Sequence, residues 1–482
     1  MEQQLYNKEI GIVRATKHYL VSIEGLPSAR VHDIIVNSEG ERALVTGLSH
    51  DAIEAVLLDQ SDVRPGEQFE LRAQEDQLAI GDFLMGRVIN PLGDPIDGKG
   101  ALPPRNAPLV LEREAGDLAR RGPIQRQLMS GYALVDAVLP IAKGQRQLLM
   151  GPIQSGVEPF CRELIRNQAG TDTVCIYTTI GKSGAMIRRL AEVLFEGGAS
   201  AYTYIIAGTS EDGAPLNTIA PSVGMFMAEY FSEQGKDVVL ILDDLYTHAK
   251  YLREKALLEG RLPGRESYPG DIFYQQAHLI ERAGSFEQGG SITLLPLLQT
   301  DIEATTDLIM TNVMGTTDGH LQFSSALYAQ GTFPPILEQE SVTRVGKHAH
   351  TVIQKQLATS ITTLLADAKE QERFTQFGSE LSEASRTILA MGSVLRLLMN
   401  QNEGERLPVD VQVVLLALVF TSFSTGKDAT FFSKNLHPIL EYVRSDACVS
   451  VRDLVSKERD LNKFLAKVEH EVVPPLQSLC HT

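Results

Sequence analysis

The chain has 482 residues, enough for two to four domains with separate cores, and its 43% hydrophobic and 22% charged content is that of an ordinary soluble globular protein. A formal net charge of −17 argues against nucleic-acid binding, since phosphate backbones attract basic surfaces, and against direct binding to an anionic lipid surface. Four cysteines, Cys161, Cys175, Cys448 and Cys480, are too few for a disulfide framework and follow no metal-ligand spacing, so they read as buried or incidental thiols in a reducing compartment.

The opening "MEQQLYNKEI" has no basic segment followed by an apolar one, and so no signal peptide is expected. Residues 1 to about 75 contain the strand-like runs "EIGIVRAT", "YLVSIEGL", "RALVTGL", "AVLLD" and "EQFELRA", divided by turn clusters such as "NSEGE" and "RPGE". Short strands at near-regular spacing predict a small antiparallel barrel.

From about 76 to 346 strands alternate with helices, the pattern of a mostly parallel sheet. The Gly/Pro-rich segment "GRVINPLGDPIDGKG" (Gly86 to Gly100) reads as a loop or hairpin at its entry. "GQRQLLM", "TVCIYTTI", "YTYIIAGTS", "VVLILDDL" and "GGSITLLPLL" read as strands, and "CRELIRNQ", "GAMIRRLAEVLFEGG" and "SVGMFMAEYFSEQG" as helices. From about 347 onward the chain reads as helices. Ile353, Leu357, Ile361, Leu364 and Leu365 recur at spacings of three and four. Leu454, Leu461, Phe464, Leu465 and Val468 repeat that stripe, with Pro474 and Pro475 expected to stop it. "VVLLALVF" (Val413 to Phe420) is far short of the roughly 20 residues that span a bilayer, and a cytosolic chain is expected.

Three stretches carry candidate chemistry. In "MGPIQSGVEPF" (Met150 to Phe160), Gly151 and Gly156 keep the G-x-x-x-x-G spacing of a phosphate-binding loop between a strand and a helix. In a working loop backbone N–H groups cradle the phosphates, a Lys neutralises the terminal ones, and a Ser or Thr hydroxyl holds magnesium. Those two positions here are Val157 and Glu158. Val157 supplies no charge. Glu158 opposes polyphosphate, since two unit charges about 4 Å apart at an effective dielectric of 20 repel by about 4 kcal/mol. Taken alone, the stretch reads equally well as an ordinary strand-to-helix turn.

The second stretch is "LILDD", where Asp243 ends a hydrophobic strand at the place of a magnesium-coordinating acid. The third is "ESVTRVGKHAH" (Glu340 to His350), whose Arg344 reads either as a surface salt-bridge residue or as an arginine finger offered to a phosphate on a neighbouring subunit. His348 and His350, with no further Cys or His nearby, read as solvent-exposed rather than metal-binding. Ser341 and Ser267 have no local base that would make either a nucleophile.

Taken together, "GRVINPLGDPIDGKG", "LPIAKGQRQLLMG", "LILDDLYTHA", "LPGRESYPGDIFYQQAHLIERAG", "SVTRVG" and "FTQFGSELSEASRTIL" resemble the alpha subunits of F-type ATP synthases over nearly the whole chain. The stretch "PGRESYPGDIFY" (Pro263 to Tyr274) favours alpha over its beta relative and over flagellar or vacuolar cousins. The resemblance implies a multidomain α/β chain: an N-terminal small β-barrel (1–75), a central P-loop-type parallel-sheet domain (76–346) and a C-terminal α-helical domain (347–482). It implies a ring of three alpha and three beta subunits around a central-stalk gamma subunit, with ATP made or hydrolysed on beta and coupled to H+ or Na+ flow. The ring would lie on the cytosolic face of the inner (plasma) membrane, and this chain would meet the membrane only through the complex.

In that family Mg-ATP or ADP held by alpha is not turned over, and each alpha sends an Arg into the catalytic site of a neighbouring beta. The matching position is Arg344, and Ser341 matches a position the family also needs for activity. The loop Gly151, Pro152, Ile153, Gln154, Ser155, Gly156, Val157, Glu158 keeps the family's glycines, but its Lys and Thr are Val157 and Glu158 and its Arg is Ile153. The family's Gln after "CIYTTI" is Lys182, an Arg near the adenine pocket is Phe333 beside Pro334, and two base-gripping glutamines align with Glu403 and Glu405. Asp243 and Arg344 remain.

That selective pattern predicts a chain that keeps its fold for the ring and has given up its own nucleotide site, so the isolated chain is expected to be inactive and to bind no Mg-ATP. An alternative copy beside a standard alpha fits the same pattern. The chain starts almost directly with a strand where the family has a leading helix, so the peripheral-stalk contact does not carry over. The competing expectation is a non-catalytic scaffold or regulatory paralogue outside an active ring; a self-sufficient ATPase is opposed by Val157 and Glu158.

Overall fold

The computed structural model describes residues 9–59, 62–72, 76–114, 118–300, 307–376 and 382–480. The opening residues 1–8, the expected boundary at 75 and part of "FTQFGSELSEASRTIL" lie outside them.

Six antiparallel strands make the N-terminal barrel: β1 (Ile10–Lys17), β2 (Leu20–Glu24), β3 (Ile34–Asn37), β4 (Arg42–Leu48), β5 (Ile53–Leu57) and β6 (Gln68–Leu71). They close in the order β1-β2-β5-β4-β3-β6, and closure leaves no strand edge unpaired. Alternate residues such as Val21 and Ile23 on β2, with Ile35, Val45 and Phe69, fill the interior. The sequence reading found five of these strands and missed β3. All four residues of β3 are buried, so it lacks the alternation that marks a half-buried strand.

The described residues divide into two compact units, one combining 9–122 with 169–300 and 307–317, the other combining 123–168 with 318–480. Besides the barrel, the first unit holds five parallel strands. Their order is Ser291–Thr300, Asp237–Asp243, Thr173–Lys182, Thr203–Thr209 and Val88–Ile89. The apolar run Val238 to Leu242 is entirely buried, which is why the longer strands read as continuous hydrophobic segments. The Gly86–Gly100 segment is therefore not only a loop, because Val88–Ile89 joins the sheet edge; two residues are too few to carry a period. Sheets of this kind build ligand sites at the carboxyl ends of their strands, and two of these strands end in Lys182 and Asp243.

In the second unit the strand Gln147–Pro152 pairs in parallel with Gly319–Gln322, which pairs antiparallel with Val342–Thr343. The first of these leads through residues 153–156 into the helix Val157–Arg166. Helices dominate the rest: Val352–Gln376, Glu383–Met399, Val409–Ala417, Ala429–Arg444, Val449–Lys457, Leu461–Glu471 and Val473–Leu479. Ile353, Leu357, Ile361, Leu364 and Leu365 are buried, as their spacing predicts.

The helix Leu461–Glu471 ends just ahead of Pro474 and Pro475, as expected, and the two prolines then sit in the first turn of the final helix. A proline there forfeits only an N–H that has no partner inside the helix. Residues 413–420 belong to a short buried helix and a following turn, and no helix among the described residues is long and apolar enough to cross a membrane. Cys161, Cys175 and Cys448 are buried and Cys480 half-buried, all as thiols outside any disulfide.

Candidate functional site

The phosphate-loop frame is present in backbone form, and packing explains both of its glycines. Gly156 caps the helix Val157–Arg166 at φ 83°, and a Cβ there would lie 2.7 Å from Pro335 Cγ and 2.8 Å from Tyr328 Cδ2. A Cβ on Gly151 would lie 2.8 Å from the Phe323 carbonyl oxygen. Both positions demand glycine whether or not a phosphate is bound. Pro152 is half-buried, Ile153 and Gln154 are exposed, and Gln154 has φ 65°. Ser155 is fully buried, and its hydroxyl finds no hydrogen-bond partner among the described residues.

Val157 is also fully buried. Glu158, one residue on, is bound within the chain. Its Oε1 accepts from Arg162 Nη1 at 2.8 Å, one helical turn further along. Arg162 Nη2 donates to Glu403 Oε1 at 3.0 Å, joining residues 241 positions apart. The Arg162 side chain is only 14% exposed. Two of the substituted positions, Glu158 and Glu403, are therefore gripped by one guanidinium. A second chain of ion pairs runs beside it: the buried Glu163 meets Arg166 at 2.6 Å and Arg406 at 3.6 Å.

The loop carrying Glu403 and Glu405 is fastened from several sides. Glu405 Oε2 accepts from the Asn402 side chain at 2.9 Å, so its carboxylate faces its own loop. The Gln401 amide accepts from Ala133 N–H at 2.7 Å and donates to the Gly131 and Glu405 carbonyls at 2.9 and 2.6 Å. Gly404 N–H donates to the Tyr132 hydroxyl at 3.3 Å. The Tyr132 ring packs edge-on against Phe333, with centroids 5.0 Å apart, and tilted against Phe160 at 6.4 Å. Phe333 is buried and its N–H donates to Asn400 Oδ1 at 2.8 Å, while Pro334 borders a cavity of about 280 Å³ with Leu134, Leu327 and Met399. Sequence reasoning missed Arg162, Gln401 and Arg406. The Glu158/Arg162 spacing of four was visible as a helical ion pair. Nothing local linked Arg162 to Glu403.

In the first unit Asp243 is 3% exposed and already neutralised. Lys182 Nζ lies 2.9 Å from Asp243 Oδ1, and the Tyr177 hydroxyl donates to Oδ2 at 2.8 Å. Lys182 also donates to Gln299 Oε1 at 3.3 Å. The Lys182 ammonium thus places a positive charge directly against Asp243. Asp244 caps the next helix by accepting from Thr247 N–H at 2.5 Å. Burial, and then the neighbouring Asp243 charge, push its carboxyl up to about 6.

Arg344 is placed differently. It is exposed, and its guanidinium has no hydrogen-bond or ion-pair partner among the described residues. Its backbone, by contrast, is fixed. Arg344 N–H donates to the Asp318 carbonyl at 3.0 Å, and the Asp318 carboxylate holds Arg146 in a fork of 2.9 and 2.7 Å. The Thr343 hydroxyl donates to the Pro140 carbonyl at 2.8 Å. Ser341 is buried, its hydroxyl donating to the Leu337 carbonyl at 2.7 Å and accepting from Gln322 N–H at 2.9 Å. Both hydrogen-bonding roles of that hydroxyl are used inside the unit, where it fastens the short strand Val342–Thr343 that leads into Arg344. The two histidines part ways: His348 is exposed as expected, but His350 is buried with Nε2 2.8 Å from the Asp136 carbonyl. Burial holds its pKa down at about 4. No cluster of metal-ligating side chains occurs among the described residues.

The residues present do not fit a magnesium nucleotide. The loop hydroxyl of Ser155 is an orphan that a small ligand could satisfy, but Val157 is in the core, Glu158 and Glu403 share Arg162, and Asp243 holds Lys182.

The family model for the nucleotide-binding domain of the ATP synthase alpha/beta family matches residues 131–343. The model for the C-terminal domain of the ATP synthase alpha/beta chain matches residues 351–473. A protein of Nitrosospira multiformis named ATP synthase subunit alpha 2 is 34% identical over 418 residues, which cover 86% of this chain and 81% of that protein. ATP synthase subunit alpha of Neorickettsia sennetsu is 34% identical over 450 residues, covering 90% of this chain and 88% of that protein.

Proposed function

The chain belongs to the ATP synthase alpha/beta family as an F-type alpha subunit, and from that premise we propose that it is a non-catalytic member of the synthase head that supplies Arg344 to the catalytic site of a neighbouring beta subunit. ATP forms or is hydrolysed on beta, coupled to H+ or Na+ flow. The guanidinium of Arg344 stabilises negative charge developing on the transferred phosphoryl group. Ser341 acts as a positioning residue for the strand that presents it. The chain's own nucleotide site is degenerate, and the isolated chain is inactive. Three such chains alternate with three beta subunits around gamma on the cytosolic face of the membrane, with the barrel, the sheet domain and the helical domain as their three segments.

One observation carries this reading. Glu158 and Glu403 are paired with Arg162, and Asp243 with Lys182, while the Arg344 side chain is exposed with no partner among the described residues. An exposed arginine with no acid paired to it among the described residues suits a neighbour's phosphate, and an arginine finger contributes roughly 10³ to 10⁵ in rate in other phosphoryl-transfer systems.

The test is reconstitution of the head with Arg344→Ala. The expected result is an intact ring whose turnover falls by roughly 10³ or more. Near-normal turnover overturns the role of Arg344. Complexes purified through this chain should contain a beta-type partner; a complex without one would favour a scaffold outside an active ring.

A further inference from the structure

Arg162 joins two acids that both stand where the resemblance places nucleotide contacts. Glu158 occupies the position of the magnesium-holding hydroxyl, and Glu403 that of a base-gripping amide. A nucleotide touching both positions would tie the start of the helix Val157–Arg166 to the loop at 401–407. Here one side chain makes that tie, with Nη1 on Glu158 at 2.8 Å and Nη2 on Glu403 at 3.0 Å.

We propose that Arg162 is a built-in occupant of the degenerate nucleotide site, holding the loop helix to the 401–407 loop in place of a ligand. The inference rests on the reading that the site no longer binds nucleotide.

Three features support it. Arg162 is largely buried while its two acids are half exposed, so its charge is compensated at the mouth of the site instead of by solvent. A lysine at 157 would compete for Glu158, and that position is the fully buried Val157. The 401–407 loop is also fastened on its far side by Gln401 and by the Gly404–Tyr132 hydrogen bond, so Arg162 closes a frame already anchored elsewhere. Arginine suits the task because its planar fork reaches two carboxylates at once, which a lysine ammonium does poorly. The second unit thereby holds its packed form whether or not nucleotide is present.

The experiment is thermal unfolding of the full chain with and without millimolar Mg-ATP, combined with hydrogen exchange read by peptide. Wild type is expected to show no Tm shift with Mg-ATP. Arg162→Met should lower Tm by about 2–6 °C and speed exchange together at residues 157–160 and 401–407. Glu403→Gln should lower Tm less in wild type and not at all in the Arg162→Met background, and Arg162→Lys should fall between.

A wild-type Tm that rises with Mg-ATP sinks the reading of a degenerate site, whatever Arg162 does. An unresponsive wild type with additive effects of Arg162→Met and Glu403→Gln, or with Arg162→Lys matching wild type, sinks the role of Arg162 alone. If Arg162→Met does not fold, Glu158→Gln with Glu403→Gln removes both acids while keeping the arginine. Exchange unchanged at both segments in that double variant also overturns the proposal.

Discussion

Replacing Lys182 with Met leaves the Asp243 carboxylate, 3% exposed, without its cation and, among the described residues, with the Tyr177 hydroxyl as its remaining side-chain partner. Breaking a buried ion pair from one side typically costs about 3–5 kcal/mol, because the surviving charge remains desolvated. Two features lower that figure to about 2–4 kcal/mol. Lys182 is 17% exposed, so water partly replaces it, and Tyr177 continues to donate. The chain has more than one unit and does not promise a single two-state transition, so the suitable assay is hydrogen exchange at the strands Thr173–Lys182 and Asp237–Asp243. The expected acceleration is roughly 30- to 900-fold in Lys182→Met. Asp243→Asn alone should also destabilise, and the double variant should lose less than the sum of the two, with a coupling of at least about 1 kcal/mol. Additive effects, or a change below about 0.5 kcal/mol in Lys182→Met, would refute the claim that Lys182 and Asp243 form a stabilising pair.

Asp244 should make the first unit more stable at acid pH than at neutral pH. Its folded-state pKa of about 6 lies above the unfolded value, so the native state holds the proton more tightly and stability falls as pH rises from about 4 to about 6. Asp244→Asn, which can still cap the helix at Thr247, is expected to gain up to about 3 kcal/mol over wild type at pH 7.5 and nothing at pH 4, read by hydrogen exchange in the strand Asp237–Asp243 and the helix Leu245–Leu258. A gap that does not depend on pH would contradict the assignment. Gly156→Ala should destabilise by about 1–3 kcal/mol through positive φ and the contacts with Pro335 and Tyr328, with no nucleotide present; an unchanged Tm would show that packing does not require this glycine. Arg344→Lys should fail to restore turnover to the reconstituted head, since a lysine lacks the planar fork, and activity close to wild type would show that charge alone suffices.

Much of the fold was legible because side-chain period reports burial. The stripe from Ile353 to Leu365 and the run Val238 to Leu242 announced a helix and a covered strand. The four-residue strand β3, the two-residue strand Val88–Ile89 and the helix opened by Pro474 and Pro475 were not legible, because each is too short or too evenly buried to carry a period. The site divided in the same way. The glycine spacing and the absence of Lys and Thr at 157 and 158 could be read directly. The fates of Ser341 and His350 could not be read, because a buried hydroxyl or imidazole is set by carbonyls such as those of Leu337 and Asp136, which local sequence does not locate.

The sequence by itself determined the kinds of element, their order, and which chemical groups are missing from the phosphate loop, since these follow from residue type and spacing. Only the tertiary structure decided what took their place. Arg162 meets Glu403 across 241 residues, and Lys182 meets Asp243 from another strand of its sheet. An ion pair forms where folding brings two charges within about 4 Å, and no periodicity along the chain encodes that distance.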